Sequence, residues 1–120
     1  MKNNIVAEKS YAFAIRIVNL YKHFSQHNKE YVLSKQLLRS GTAVGALIRE
    51  AEHAQSRADF INKMNVALKE ANETEYWLML LKDTQYLNEK EYQSIAVDCS
   101  EVVKLLISIV KTTKSQNEKK

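Results

Sequence analysis

The side chains best suited to hold a metal ion or attack a substrate are few: three histidines, one cysteine and a scatter of carboxylates. His23 and His27 stand four residues apart, a spacing that puts two imidazoles on one helix face, where they could clasp a cation. They also fall where a helix is expected to end, and histidine suits the negative end of a helix dipole; that reading is preferred. Glu50-Ala51-Glu52-His53 supplies one Glu-x-x-His motif, of which a di-iron bundle needs two. Neither His23 nor His27 has a glutamate three positions before it, and Glu50 and His53 fall off the apolar stripe of their segment, so both read as surface charges. Cys99 lies on an apolar face with no activating base, which is the setting of a buried structural thiol. No Ser/His/Asp grouping, phosphate-cradling glycine loop or zinc spacing occurs. No catalytic, cofactor-binding or metal-ligating residue is therefore assigned.

Two polar features ask for another explanation. Glu75 falls within an apolar stripe, between Leu68 or Ala71 and Leu78 or Met79. A buried carboxylate must find donors or take up a proton; Ser40, Thr42, a tyrosine or an arginine could supply them, making Glu75 a candidate buried polar anchor. The second feature is a ridge, Lys35, Arg39, Thr42, Ala46, Arg49 and His53, at spacings of three and four with no carboxylate in register. Lys35, Arg39, Arg49 and His53 are the candidate nucleic-acid-binding residues, because a basic helix ridge can track phosphates. The same ridge serves equally as a contact with another subunit or as a solvated face.

The elements that position these residues are helices. The first is expected from Asn4 to about His23, with two adjoining apolar stripes, Tyr11-Ile15-Val18 and Phe13-Ile17-Leu20-Phe24. Together they exceed what one core face requires, which implies a second buried surface. After a polar connection at His27-Asn28-Lys29-Glu30, a second helix runs from about Tyr31 to His53 on Leu33, Leu37, Val44, Ile48 and Ala51. Gly41 and Gly45 within it cost helix propensity, and close packing on a neighbour is the expected compensation. Ser56 and Asp59 resemble a capping box opening a third helix, Arg57 to about Asp83, with Phe60, Ile61, Met64, Ala67, Leu68, Ala71, Leu78 and Met79 facing the core. Asn88 with Glu91 caps the fourth. Four amphipathic helices with short connections predict an all-α, antiparallel up-down-up-down four-helix bundle over residues 1–113, with 114–120 as a flexible basic tail.

The composition agrees. At 120 residues the chain is one domain, with no proline and only two glycines to interrupt helices. One cysteine implies no internal disulfide and fits a reducing compartment. Charges at Glu8, Lys9 and Arg16 break any signal-like apolar run, and no stretch reaches a membrane span, so a cytoplasmic location is expected. The net charge of +4 hides an asymmetry. Residues 1–50 hold eight Lys/Arg against three Asp/Glu, residues 51–110 six against ten, and residues 111–120 four against one. Such a division suits nucleic acid, and equally the head-to-tail association of identical subunits.

The stretch Gln36-Leu37-Leu38-Arg39-Ser40-Gly41-Thr42-Ala43-Val44-Gly45-Ala46-Leu47-Ile48-Arg49-Glu50-Ala51, with Asp59-Phe60-Ile61 and Ala67-Leu68-Lys69-Glu70-Ala71-Asn72-Glu73-Thr74-Glu75-Tyr76-Trp77-Leu78, resembles the bacterial four-helix bundle proteins also called 23S rRNA intervening-sequence proteins. The resemblance covers nearly the whole chain. It implies the bundle fold without implying an activity, since the family name records only where some members' genes lie. A related group, the accessory variability determinants of diversity-generating retroelements, forms basic pentameric rings that bind nucleic acid and a reverse transcriptase. By that resemblance a homopentamer, RNA or DNA, and a protein partner such as a reverse transcriptase are implied here. Leu47 departs from the asparagine frequent in the family, while Glu73 and Glu75 match its paired glutamates. The expectation is a non-enzymatic oligomeric bundle that binds RNA or DNA through the helix-two ridge without cofactors. The alternative is a protein-interaction scaffold whose basic and acidic faces meet in a homo-oligomer.

Overall fold

Two capping boxes start the second half of the molecule. Ser56 Oγ accepts the Asp59 backbone N–H at 3.0 Å, and Asp59 Oδ2 accepts that of Gln55 at 3.2 Å. Asn88 Oδ1 accepts the Glu91 N–H at 2.8 Å while Glu91 Oε1 accepts the Asn88 N–H at 2.9 Å, the reciprocal form. A computed structural model of the chain describes residues 4–118. Helix α1 spans Asn4–His23 and is prolonged by a π-helical turn, Phe24–Asn28; α2 spans Val32–Ala51, α3 Arg57–Asp83 and α4 Glu89–Glu118. With no glycine to supply left-handed backbone, Lys29 (φ 54°) stops the first helix and Gln85 (φ 72°) follows the third.

Cross-helix contacts fix the topology. Gly41 lies against Ile17 and Gly45 against Ser10. Arg39 pairs with Glu70 and Glu73, and Glu50 with Lys63. Cys99 approaches Ala71, while Arg57 reaches Gln116. Lys9 pairs with Glu101 and Arg16 with Asp98. In each pair of helices one number rises as the other falls, so all four neighbours run antiparallel, up-down-up-down. The α2–α3 seam is the most extensive and the α1–α4 seam the thinnest. The resulting rod measures 53 × 22 × 20 Å.

The core is a continuous apolar column that includes Phe13, Ile17 and Phe24 of α1, Leu37, Val44 and Ile48 of α2, Met64, Leu78 and Leu81 of α3, and Cys99, Val102 and Leu106 of α4. Gly41 earns its place as expected: a Cβ there would stand 2.9 Å from both Ile17 γ-carbons. Gly45 does not, because a Cβ there would meet Ser10 at an ordinary 3.5 Å.

Three expectations need correcting. The buried row of α3 is Met64, Ala67, Ala71, Thr74, Leu78 and Leu81, spaced alternately by three and four. Met79 lies off that row and is exposed. Glu75 lies on its flank and is only half-buried; the buried polar residue is its neighbour Thr74. The fourth helix also runs past residue 113 to Glu118, with no glycine or proline to stop it and with Thr113 Oγ1 donating to the Ile109 carbonyl at 2.7 Å. Lys119 and Lys120 lie outside the described residues.

Candidate functional site

Helix α2 distributes its basic ridge between two seams. At one end, Arg39 leans over α3: its Nη2 donates to Glu73 Oε1 at 2.5 Å and its Nη1 to Glu70 Oε1 at 3.4 Å. The same Glu73 oxygen accepts the Trp77 indole N–H at 3.2 Å. At the other end, Arg49 and His53 line a groove between α1 and α2 together with Tyr11, and its floor carries Gly45 and Ala46. Ten residues separate Arg39 from Arg49, which turns them about 80° apart around the helix. The ridge is thus not one uninterrupted track of free cations. Lys35 is exposed, and neither it nor Arg49 has a carboxylate partner among the described residues. His53 lies just beyond the end of α2, in the turn before α3. Glu52 shares the Arg49 groove and offsets part of its charge.

Beneath Arg39 the two helices share a buried hydroxyl pair. Thr74 Oγ1 lies 2.9 Å from Ser40 Oγ and 2.8 Å from the Glu70 carbonyl oxygen, so the two hydroxyl hydrogens satisfy the pair in the core. No buried side-chain nitrogen or oxygen among the described residues lacks a partner. Ser40 is one of the donors expected to serve Glu75; the helix phase pairs it with Thr74 instead.

The groups with reactive chemistry are held apart. Burial pushes the Cys99 thiol up to about 12, with the carboxylates of Glu75 and Asp98 adding to the effect. Its sulfur lies 3.7 Å from the Ala71 carbonyl oxygen, a weak donor contact. Glu50, of the Glu-x-x-His motif, pairs with Lys63 at 3.2 Å. No group of three or more His, Cys, Asp or Glu side chains placed to hold a metal ion occurs among the described residues.

The surface carries unusual apolar bulk. Tyr11 (63% exposed) and Ile15 (48%) point outward from α1, and Tyr76 (59%) and Met79 (48%) from α3. Because α1 packs on α2 and α4, it stands diagonally from α3, and the two patches face opposite sides of the rod. The excess apolar stripe on α1, Tyr11 and Ile15 above all, is therefore left uncovered by the chain's own fold. A third exposed feature is a polar clasp: Arg16 spans the thin α1–α4 seam to Asp98 Oδ2 at 2.6 Å, Ser94 Oγ at 2.9 Å and the Ser94 carbonyl at 3.1 Å.

Comparison with known proteins gives a family and a structural relative. The family model for the 23S rRNA-intervening sequence protein matches residues 2–108. A crystal structure from Bacteroides thetaiotaomicron, of a protein with unknown function from the S23 ribosomal protein family, is 65% identical. The match covers 88% of this chain and 98% of that one, with a TM-score of 0.87. No protein of curated function matches the chain. No helix among the described residues is long and apolar enough to cross a membrane.

Proposed function

The chain belongs to the 23S rRNA-intervening sequence protein family, and we propose that it acts without catalysis, as a helical bundle that assembles head to tail with copies of itself. The observation that carries this reading is the pair of uncovered apolar patches on opposite corners, Tyr11 with Ile15 and Tyr76 with Met79. Exposed apolar surface gathered in patches marks interaction sites. The groove beside Tyr11 has a floor of small residues, which lets a neighbouring helix approach closely. Charge supports the same pairing, since residues 1–50 are basic and residues 51–110 acidic. A patch that meets a different patch on the next copy forms a heterologous interface, which closes into a ring when the rotation allows. A pentamer, the size implied by the family resemblance, is the proposed ring.

Light scattering tests this directly. Tyr11→Glu and Met79→Glu should each reduce the particle to a monomer, and an equimolar mixture of the two variants should give a dimer, through the one intact interface that remains. Variants that keep the wild-type mass would refute the assembly, and a mixture that stays monomeric would refute its head-to-tail form.

A second reading is favoured by the unpaired Lys35 and Arg49 and by the position of Arg49 and His53 in one groove with Tyr11. In this reading the assembled ring presents those residues to RNA or DNA, through phosphate contacts with little sequence preference. Binding of a short RNA should then fall steeply with salt and be lost in Lys35→Glu/Arg49→Glu. Indifference to RNA at low salt leaves the scaffold reading alone.

A further inference from the structure

The end of α1 holds a feature that neither assembly nor nucleic acid uses. His23 and His27, both exposed, flank the start of the π-helical turn Phe24–Asn28. The helix therefore runs on past His23 to Asn28, with both histidines in its closing turns, where they suit the negative end of the dipole. Phe24 is buried and anchors this turn to the core, packing edge-on against Tyr86 at 6.3 Å between ring centres. Such π turns recur at functional sites. The two imidazoles stand with ring centres 4.7 Å apart and planes inclined at 38°.

That separation falls in the range that shared coordination of a cation needs. With metal–nitrogen bonds of roughly 2.0–2.1 Å and about 1.1 Å more to each ring centre, ligand angles of about 90–110° put two ring centres on the order of 4.5–5.2 Å apart. We propose that His23 and His27 form a two-imidazole site for a divalent transition-metal cation of the zinc, nickel or copper class, with water completing the coordination. Imidazole ligands select these borderline metals over magnesium or calcium. Lys22 beside His23, and Lys90 in the α1–α4 groove that His23 lines, place positive charge nearby and keep the affinity modest. The bound ion would staple the π turn to the last turn of α1. The site is independent of the assembly reading, because both histidines belong to one chain and one continuous helix.

Calorimetric titration of the full, tag-free chain with Ni(II) tests the site, with His53→Ala as the control histidine. Wild type and His53→Ala should each take up one Ni(II) per chain with a rise in melting temperature. His23→Ala and His27→Ala should each weaken binding about tenfold or more and abolish that rise, while circular dichroism reports an unchanged fold. Absence of binding in wild type, or equal binding in His27→Ala, would overturn the proposal.

Discussion

Arg39 of α2 and Glu73 of α3 form the shortest link across the most extensive seam of the bundle, 2.5 Å from Nη2 to Oε1, with the Trp77 indole donating to the same oxygen. The arginine side chain is 54% exposed and the glutamate 30%, so water screens the pair without dissolving it. Its significance is that a cation which the sequence offers to a ligand is already committed to the fold.

Replacing Arg39 by alanine should therefore destabilise the protein by about 0.5–1 kcal/mol, and a double-mutant cycle with Glu73→Gln should show coupling of similar size. Arg39→Glu, which places three carboxylates together, should cost more. Urea denaturation measures each of these, and a coupling of zero would mean that the pair is held only by the packing around it. The same logic makes Arg49 and Lys35 the informative positions for any nucleic-acid experiment, since changes there do not disturb an ion pair.

The two glycines of α2 should respond in opposite directions. Gly45→Ala removes a helix-propensity penalty and adds a methyl at ordinary contact distance from Ser10, so a gain of up to about 1 kcal/mol is expected. Gly41→Ala gains the same propensity but drives a methyl into Ile17, a β-branched side chain with few rotamers to retreat into. Overpacking of this kind costs about 1–3 kcal/mol, leaving a net loss. Thermal melts of both variants decide the matter, and equal shifts would show that α1 moves aside.

The contrast shows what a sequence discloses and what it withholds. Helix boundaries were legible because their signals are local: Asn4 opens α1, and Arg57 and Asp83 bound α3 behind the Ser56 cap as expected, whereas the π turn that carries the first helix on to Asn28 has no such local signal. Helix phase was less so. Thr74 and Glu75 are adjacent polar residues beside the apolar stripe of α3, and only the partner Ser40, thirty-four positions away, decides that Thr74 is the one inside. The tether on Arg39 was hidden for the same reason, since its carboxylates sit on another helix and come into register only when α2 and α3 pack. The uncovered face of α1 was legible as a surplus of apolar positions, because amphipathic width can be counted without knowing the neighbours.

Cys99 should be chemically silent in the folded protein. Its thiolate is disfavoured first by burial and then by Glu75 and Asp98, which holds the folded group near 12 against an ordinary value of 9.0. An aromatic disulfide reagent at pH 8 should label it only after urea unfolds the chain, because the thiolate is the nucleophile. The sign of the pH effect follows. Between about 9 and about 12 the unfolded thiol has released its proton and the folded one has not, so this group's contribution to stability declines as pH rises through that window. Rapid labelling of native protein would show that the α3–α4 seam opens readily.

Glu30 supplies the opposite dependence at acid pH. Burial alone would raise its carboxyl, but the backbone N–H groups of Leu33 and Ser34 donate to its two oxygens at 2.7 and 2.9 Å and hold it below the ordinary value of 4.5. These are free donors at the start of α2, so the side chain works as an N-terminal cap although Tyr31 stands between it and the helix. A lowered folded value means that the charged form stabilises the fold above the unfolded group's range, and that the contribution fades as pH falls through the folded value. Glu30→Gln should thus cost about 1 kcal/mol at neutral pH and progressively less in acid. Urea midpoints of both proteins from pH 7 to pH 3 measure this: convergence toward low pH supports the charged cap, and a constant gap would assign the loss to packing instead.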